Sequence, residues 1–436
     1  MPDSRIVIAS SQGNTIQLKP GVNLRIGEQD LESDFDPLTT LERDLLILAS
    51  SIYSSDLAFR RGEREIFTRS INVTIPVTNR ALFNSIRDDI RSSLYRLSDD
   101  AWNLDFVQHE GIPEAYQKWS DSSGEKVLLF SGGLDSYAAA LELGYAKTRV
   151  RLVSHVTGNR ISANAQQQLF QILDNKFPSL FRRNAVRVGA VSKPGDGYPF
   201  PSDAQRENTQ RTRSFLFLAL AGIVARRIGS KDVIMIAENG QMAIHLPLTA
   251  ARISAFSTHT AHPEFVSIMS KILETLLSYQ VNIYNPYLYM TKAEIVKRAL
   301  GADSNTIAST VSCWQSARPG PRSHSHSHCG ECIPCLIRRI ANEANGIKLE
   351  EYNRDLLSEE ISSLDESDKG RRNFIELAEF VKFFEQAKSE AEILMQYPEL
   401  LNPYIDSQKA IDLHFRFAKQ ARAVFNNYKN LSSLVS

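Results

Sequence analysis

Thiols are scarce in this chain. Four cysteines stand among 436 residues, and all of them fall between positions 313 and 335. A secreted scaffold held by disulfides uses more cysteines and spreads them out. That class is excluded, and four crowded thiols point instead to a metal site in a reducing compartment. Long apolar runs are missing as well. The longest, Phe215 to Ala225, ends at Arg226 and Arg227 after eleven residues, whereas a bilayer span needs ~20. The opening Met-Pro-Asp-Ser-Arg-Ile-Val-Ile has no basic stretch followed by an apolar one, so no secretory signal is expected and the expected location is the cytoplasm. Neither sign of charge is in excess, since 50 Lys+Arg balance 50 Asp+Glu. A protein that coats nucleic acid draws on a clustered basic surplus, so nucleic acid is not expected as a direct substrate. Internal repeats are absent, and the one low-complexity tract is Ser323-His-Ser-His-Ser-His328.

The pattern along the chain divides into four parts. Residues 1–118 read as an α+β extension, with strands near Ile6–Ile8 and Ser70–Val77 and helices over Thr40–Tyr53 and Asn79–Leu97. They carry no chemical motif. Trp119 to Gly124 reads as a linker. From 125 to 310 strands and helices alternate. Strands are expected at 126–130, 150–156, 185–190, 232–237 and 282–285, and helices at 136–147, 164–176, 209–227, 263–279 and 291–300. Such alternation predicts an α/β fold with a parallel, doubly wound, five-stranded sheet. Thr291 and Glu294 form a capping-box pattern. A cysteine segment spans 311–345, and residues 346–436 read as a helical region in which the polar stretch Ser358–Lys369 is expected to be a mobile connector.

Ser131-Gly132-Gly133-Leu134-Asp135-Ser136 follows an apolar strand and opens a helix. Paired glycines let the backbone turn sharply, and the helix start offers unpaired N–H groups and a positive dipole end. Together they suit a phosphate. Asp135 would repel a bare phosphate, which suggests Mg²⁺ or a backbone-orienting role. No Gly-Lys-Ser/Thr follows, so this is not a Walker A loop. The string resembles the signature of the PP-loop ATP pyrophosphatases. That resemblance implies a HUP-like domain that binds ATP at 131–136, cleaves it between the α and β phosphates, and places Ser154–Thr157 near the adenine.

Cys313 is followed fifteen residues later by Cys329-Gly-Glu-Cys332-Ile-Pro-Cys335. Four thiolates at this spacing suit a closed, structural Zn²⁺ site. An iron–sulfur cluster takes the same ligands, and a redox disulfide stays open on spacing alone. His324, His326 and His328 are expected to form a solvated face.

The phosphate loop followed by this cysteine block resembles the QueC family, the 7-cyano-7-deazaguanine synthases, over about 125–345. The resemblance implies activation of the carboxylate of 7-carboxy-7-deazaguanine by ATP, with attack by ammonia and loss of AMP. Thr291-Lys292-Ala-Glu-Ile resembles the family's Lys-x-Glu-Ile segment, which implies an active-site role for Lys292. The family's Tyr-Pro-Asp-Cys substrate segment is replaced by Thr258-His-Thr-Ala-His-Pro-Glu-Phe265. This change, with the extra N-terminal and C-terminal regions, resembles the QatC-type subunits of Qat anti-phage defence systems. That resemblance implies an operon-encoded protein partner and a protein amine as acceptor.

Ligands of an open α/β sheet bind at the carboxyl ends of its strands. The loop 131–136, the segment Glu238-Asn239-Gly240 and the start of helix 209–227 are expected to meet there. Asp135, Lys292 and Arg213 are the catalytic candidates. Arg211 is a phosphate ligand candidate, and Glu238, Asn239 and Gly240 are substrate candidates. Surface cations, caps and salt bridges are the ordinary alternatives for these side chains. Two other functions stay open, a tRNA-thiolating enzyme and a nucleotide-binding assembly subunit without catalysis.

Overall fold

The computed structural model describes residues 5–10, 13–61, 68–111, 124–192, 195, 197–230, 234–248, 259–299, 304–314, 328–348 and 352–431. The linker at 119–123 and the histidines at 324 and 326 lie outside them.

The N-terminal part builds a sheet from β1 (Ile6–Ser10), β2 (Thr15–Leu18), β4 (Ser70–Val77) and β5 (Ala101–Gln108), in the order β2-β1-β4-β5. β2 and β5 carry no strong strand pattern and were not expected. The two-residue strand β3 (Leu24–Arg25) leaves this sheet to pair with β9 (Gly189–Ala190). The expected helix at 79–97 is two, Arg80–Ser85 and Arg87–Ser98, because the backbone departs from helical geometry at Ile86.

The second sheet is parallel. β6 (Lys126–Leu129), β7 (Val150–His155) and β8 (Phe181–Val186) form its centre, and the two-residue strands β10 (Ile234–Met235) and β11 (Ile283–Tyr284) extend it to the order β11-β10-β6-β7-β8. β8 ends where the strand expected at 185–190 begins to lose its apolar character. Residues 189 and 190 instead pair with β3. All six residues of β7 are buried, as in a sheet covered on both faces. Alternation along β6 sorts its side chains. Val127 packs toward the helix Arg213–Arg227 and the N-terminal part, whereas Leu128 and Phe130 pack toward the helices Leu134–Tyr145 and Lys292–Ala299.

The N-terminal part has no core of its own. The helix Thr40–Ala58 starts at a capping box made by Thr39 and Glu42 and packs along the helix Arg213–Arg227. Leu45, Leu48 and Ile52 join Phe215, Leu218 and Val224 in one continuous cluster. Buried ions reinforce this seam. Glu42 receives the guanidinium of Arg227. Asp56 and Asp100 share Arg69, with N–O distances of 2.5 and 2.6 Å, and Asp56 also accepts from the backbone N–H of Thr212 at 2.9 Å.

The C-terminal part packs the helices Lys369–Gln386 and Ser407–Phe425 on each other and on the helix Ile333–Glu343. The stretch 358–369 is packed, which corrects the expectation of a mobile connector. Ile361 is fully buried, and Arg354 holds the segment with Glu359 at 2.7 Å and Asp368 at 2.9 Å.

Candidate functional site

Strand β6 sits between β10 on one side and β7 on the other, so the chain reverses its progress across the sheet at this point. Crevices for ligands open beyond the carboxyl ends of strands at such a switch. The loop after β6 and the loop after β10 meet there.

Gly132 adopts φ +82°, and a side chain there would press on Gln166. Only glycine takes this turn without strain. Gly133 is the N-cap of the helix Leu134–Tyr145 and no side chain caps it. The Ser131 hydroxyl accepts from the Gly133 N–H at 3.2 Å and lies 3.3 Å from the Ser136 hydroxyl, which donates to the Gly133 carbonyl at 3.0 Å. The amide of Gln166 donates to the carbonyls of Ser131 and His155, and the Gly132 carbonyl accepts from Val311 N–H at 2.9 Å. The loop is therefore held from behind, with the helix start left open for an anion. Leu134 is buried beneath it.

Asp135 is buried and engaged on both oxygens. One accepts from the ammonium of Lys292 at 2.6 Å, and the other accepts from the backbone N–H of Asn239 at 3.1 Å and its side-chain amide at 2.8 Å. The helix Lys292–Ala299 aims Lys292 here because the box formed by Thr291 and Glu294 fixes its first turn. Glu238 follows β10 beside this pair. Its backbone is gripped by Asn285, which donates to the Glu238 carbonyl at 2.7 Å and accepts from its N–H at 3.3 Å. Burial, followed by the negative charge of Asp135, pushes the Glu238 carboxyl up to about 8. Two neighbouring carboxyls, one of them favouring its proton, are a donor set suited to Mg²⁺ or to a magnesium-bound phosphate.

Gly240 faces away from the crevice. It packs so closely on the Leu288 carbonyl and Leu413 that a side chain would collide with both. Asn239 caps the short helix Gly240–Ile244 by accepting from Met242 N–H at 3.3 Å.

The two arginines part company. Arg211 precedes the helix rather than lying on its first turn, because that helix starts at Arg213. Its guanidinium turns to the N-terminal part, donating to the Ser98 carbonyl at 3.2 Å and pairing with Asp99 at 3.5 Å. Arg213 lies over the ring of Phe217, beside His155 and Tyr53 at the carboxyl end of β7. Burial lowers its pKa. Burial also depresses His155, with Arg213 adding to the effect, so its imidazole is held neutral at about 3.

Several contributors have no signal in the sequence. Gln166 and Val311 brace the loop, and Asn285 and Gln241 fix Glu238 and Lys292. Gln241 accepts from Lys292 N–H at 2.8 Å.

The four cysteines meet as one group. Their sulfurs all lie within 4.8 Å of one another, with Cys313 to Cys332 at 4.0 Å and Cys329 to Cys335 at 3.8 Å. A tetrahedron with Zn–S bonds of ~2.3 Å has edges of ~3.8 Å, so the set fits a zinc ion. The Glu331 and Cys332 N–H groups point at the Cys329 sulfur at 3.5 and 3.4 Å, which offsets thiolate charge. Gly330 at φ +80° makes the turn. His328 is not in this group, nor is it solvated as expected. It is buried, and its Nε2 accepts from Ser312 N–H at 3.1 Å.

Residues 125–346 match the family described as queuosine biosynthesis protein QueC. The 7-cyano-7-deazaguanine synthase of Methanoregula boonei is 24% identical over 219 residues, which cover 49% of this chain and 91% of the relative. The 7-cyano-7-deazaguanine synthase 1 of Mesorhizobium japonicum is 28% identical over 232 residues, covering 51% of this chain and 90% of the relative. The phosphate loop, the Asp135–Lys292 pair and the four sulfurs all fall within the matched half, and on this match the chain belongs to the QueC family.

Proposed function

We propose that this protein activates the carboxylate of 7-carboxy-7-deazaguanine, or of a close deazapurine, by adenylation, and then passes the acyl group to an amine. The observation that carries this reading is the buried Lys292–Asp135 pair, 2.6 Å apart, at the start of the helix that follows the Ser131–Ser136 loop. A carboxylate is a poor acyl donor because oxide leaves badly. A carboxylate oxygen attacks the α-phosphorus of ATP, the bond to the bridging oxygen breaks, and pyrophosphate departs with the electron pair. An amine nitrogen then attacks the acyl carbon, AMP leaves, and the nitrogen loses a proton.

The chain's part is positioning and charge. The loop amides receive the phosphates. Lys292, oriented by Asp135, faces the charge that builds on the transferred phosphoryl group. Asp135 and Glu238 are the residues to hold Mg²⁺, whose contribution is to neutralise that charge. Arg213 supplies a second cation at the end of β7. Arg211 is tied to Asp99, so its role is to hold the N-terminal part against the site. Zinc on the four thiolates is structural, because no ligand position stays open.

The acceptor is ammonia or an amine of an operon-encoded protein, in keeping with the resemblance to QatC-type defence subunits. Sulfur transfer is disfavoured, since the four cysteines of the chain are mutually engaged. The test is release of AMP and pyrophosphate from ATP with 7-carboxy-7-deazaguanine, with and without co-expressed operon partners. No AMP under any of these conditions removes the reading, and a deazaguanine mass increment on a partner identifies the acceptor.

A further inference from the structure

A cavity lies on the far side of Gln241 from Lys292. It encloses about 560 Å³, part of it open to solvent, within the range of small-molecule sites. Three parts of the chain supply its walls. Met242 and Leu248 come from the segment after β10, Trp314 and Ile337 from the cysteine segment, and Leu377 and Phe380 from the helix Lys369–Gln386. That last wall lies outside the residues that match the family, so the cavity belongs to this chain and not to the family pattern.

Two polar side chains give it chemistry. Gln241 is 8% exposed, and its oxygen is committed to Lys292 N–H. That bond fixes which way the amide faces and turns Nε2 the other way. Nε2 is buried without a hydrogen-bond partner among the described residues, and Gln241 lines the cavity. His414 places Nδ1 2.7 Å from the Ala410 carbonyl. A carbonyl only accepts, so the proton is on Nδ1, and Nε2 of the neutral ring is an acceptor.

The cavity thus offers one donor and one acceptor among apolar and aromatic walls, and no Lys, Arg, Asp or Glu lines it. A phosphate would find no counter-charge there. An aliphatic chain would leave the Gln241 amide unpaired, at the cost of an unmet buried donor. A flat heteroaromatic ring with one acceptor and one N–H satisfies both groups and stacks on the aromatic walls. Gln241 joins this space to the backbone of Lys292.

We infer that the cavity seats the heteroaromatic ring of the carboxylate that is activated, with its carboxylate directed toward Lys292. The inference rests on the proposed function and adds the place of binding and the part played by the C-terminal helices.

The test is calorimetric titration of 7-carboxy-7-deazaguanine into the full chain and into Leu377→Trp and Leu248→Trp, which fill the cavity from opposite walls. ATP is titrated in parallel, and melting and zinc content check the fold. The expected result is at least tenfold weaker binding of the probe by both variants with ATP affinity unchanged. Hydrogen exchange on the wild type needs no variant, and the probe is expected to protect residues 372–384. If the wild type activates the probe while a folded variant binds it equally well, or if 372–384 gain no protection, the cavity assignment fails and the proposed function stands. If the wild type binds ATP but neither binds nor activates the probe, both fail.

Discussion

The ammonium of Lys292 and the carboxylate of Asp135 meet at 2.6 Å across 157 positions of sequence, and both side chains are buried. Neither carries this contact in its local pattern. It exists because β6 and β10 are neighbours in the sheet and the two loops that follow them open on the same crevice.

Removing one member of a buried pair leaves the other charge uncompensated, at a cost of about 3–5 kcal/mol. Lys292→Met is therefore expected to lower unfolding stability by that order in urea titrations and to cut AMP release by ~100-fold or more, as for loss of a charge-stabilising group. A variant with wild-type stability and turnover would refute the pairing.

Glu238 sets a pH dependence. Its carboxyl is held up to about 8 in the folded protein, against ~4.3 for an unperturbed glutamate. The folded state keeps a proton that the unfolded chain releases, so stability falls as pH rises between those two values. Glu238→Gln keeps the neutral form at every pH. Its melting temperature is expected to gain on the wild type from pH 5 to pH 8, and added Mg²⁺ to narrow the gap by favouring the ionised wild type. A constant difference across that range contradicts the burial of Glu238 beside Asp135.

Cys332 contributes a sulfur and also stands as the N-cap of the helix Ile333–Glu343. Metal affinity at such a site is folding energy. Cys332→Ser is expected to fall from about one zinc per chain to almost none and to melt earlier, with hydrogen exchange rising first over 328–348. Full metal content with unchanged melting would sink the four-sulfur assignment, and iron with sulfide in the wild type would replace zinc.

The shared core makes a prediction about truncation. A chain beginning at residue 121 would expose Phe215, Leu218 and Val224, each fully buried now. Large apolar side chains cost ~1.5–3 kcal/mol apiece when left in water. Such a chain is expected to aggregate on expression. A soluble monomer with the full-length melting temperature would show that residues 1–118 form a separable body.

The phosphate loop and the thiol cluster were legible because their chemistry is local. Two glycines after an apolar strand, or three cysteines within seven positions, announce themselves. The capping box at Thr291 was legible for the same reason. Asn239 was singled out for substrate, yet it holds Asp135, because the sequence cannot say which loop its amide faces. Arg211 shows the same limit. Its place before a helix suited a phosphate, but Asp99 of the N-terminal part reaches it first. Gln166, Asn285 and Gln241 are ordinary amides until the sheet order brings them to the crevice. The strands β2 and β5 were missed because both expose alternate residues and gain their place only by pairing.

The turn at Gly330 has one more consequence. Its backbone lies against the Arg354 carbonyl so tightly that no side chain fits between them. Asn353 N–H donates to the His328 carbonyl at 2.9 Å, and the amide of Asn373 donates to the Glu331 carbonyl at 2.7 Å. The last third of the molecule is thus moulded on a loop that takes its shape from four sulfurs. Assembly then has an order. The ion comes first, the loop sets around it, and only then can the C-terminal helices find their seat. Zinc supply becomes a checkpoint on maturation, read out far from the metal itself.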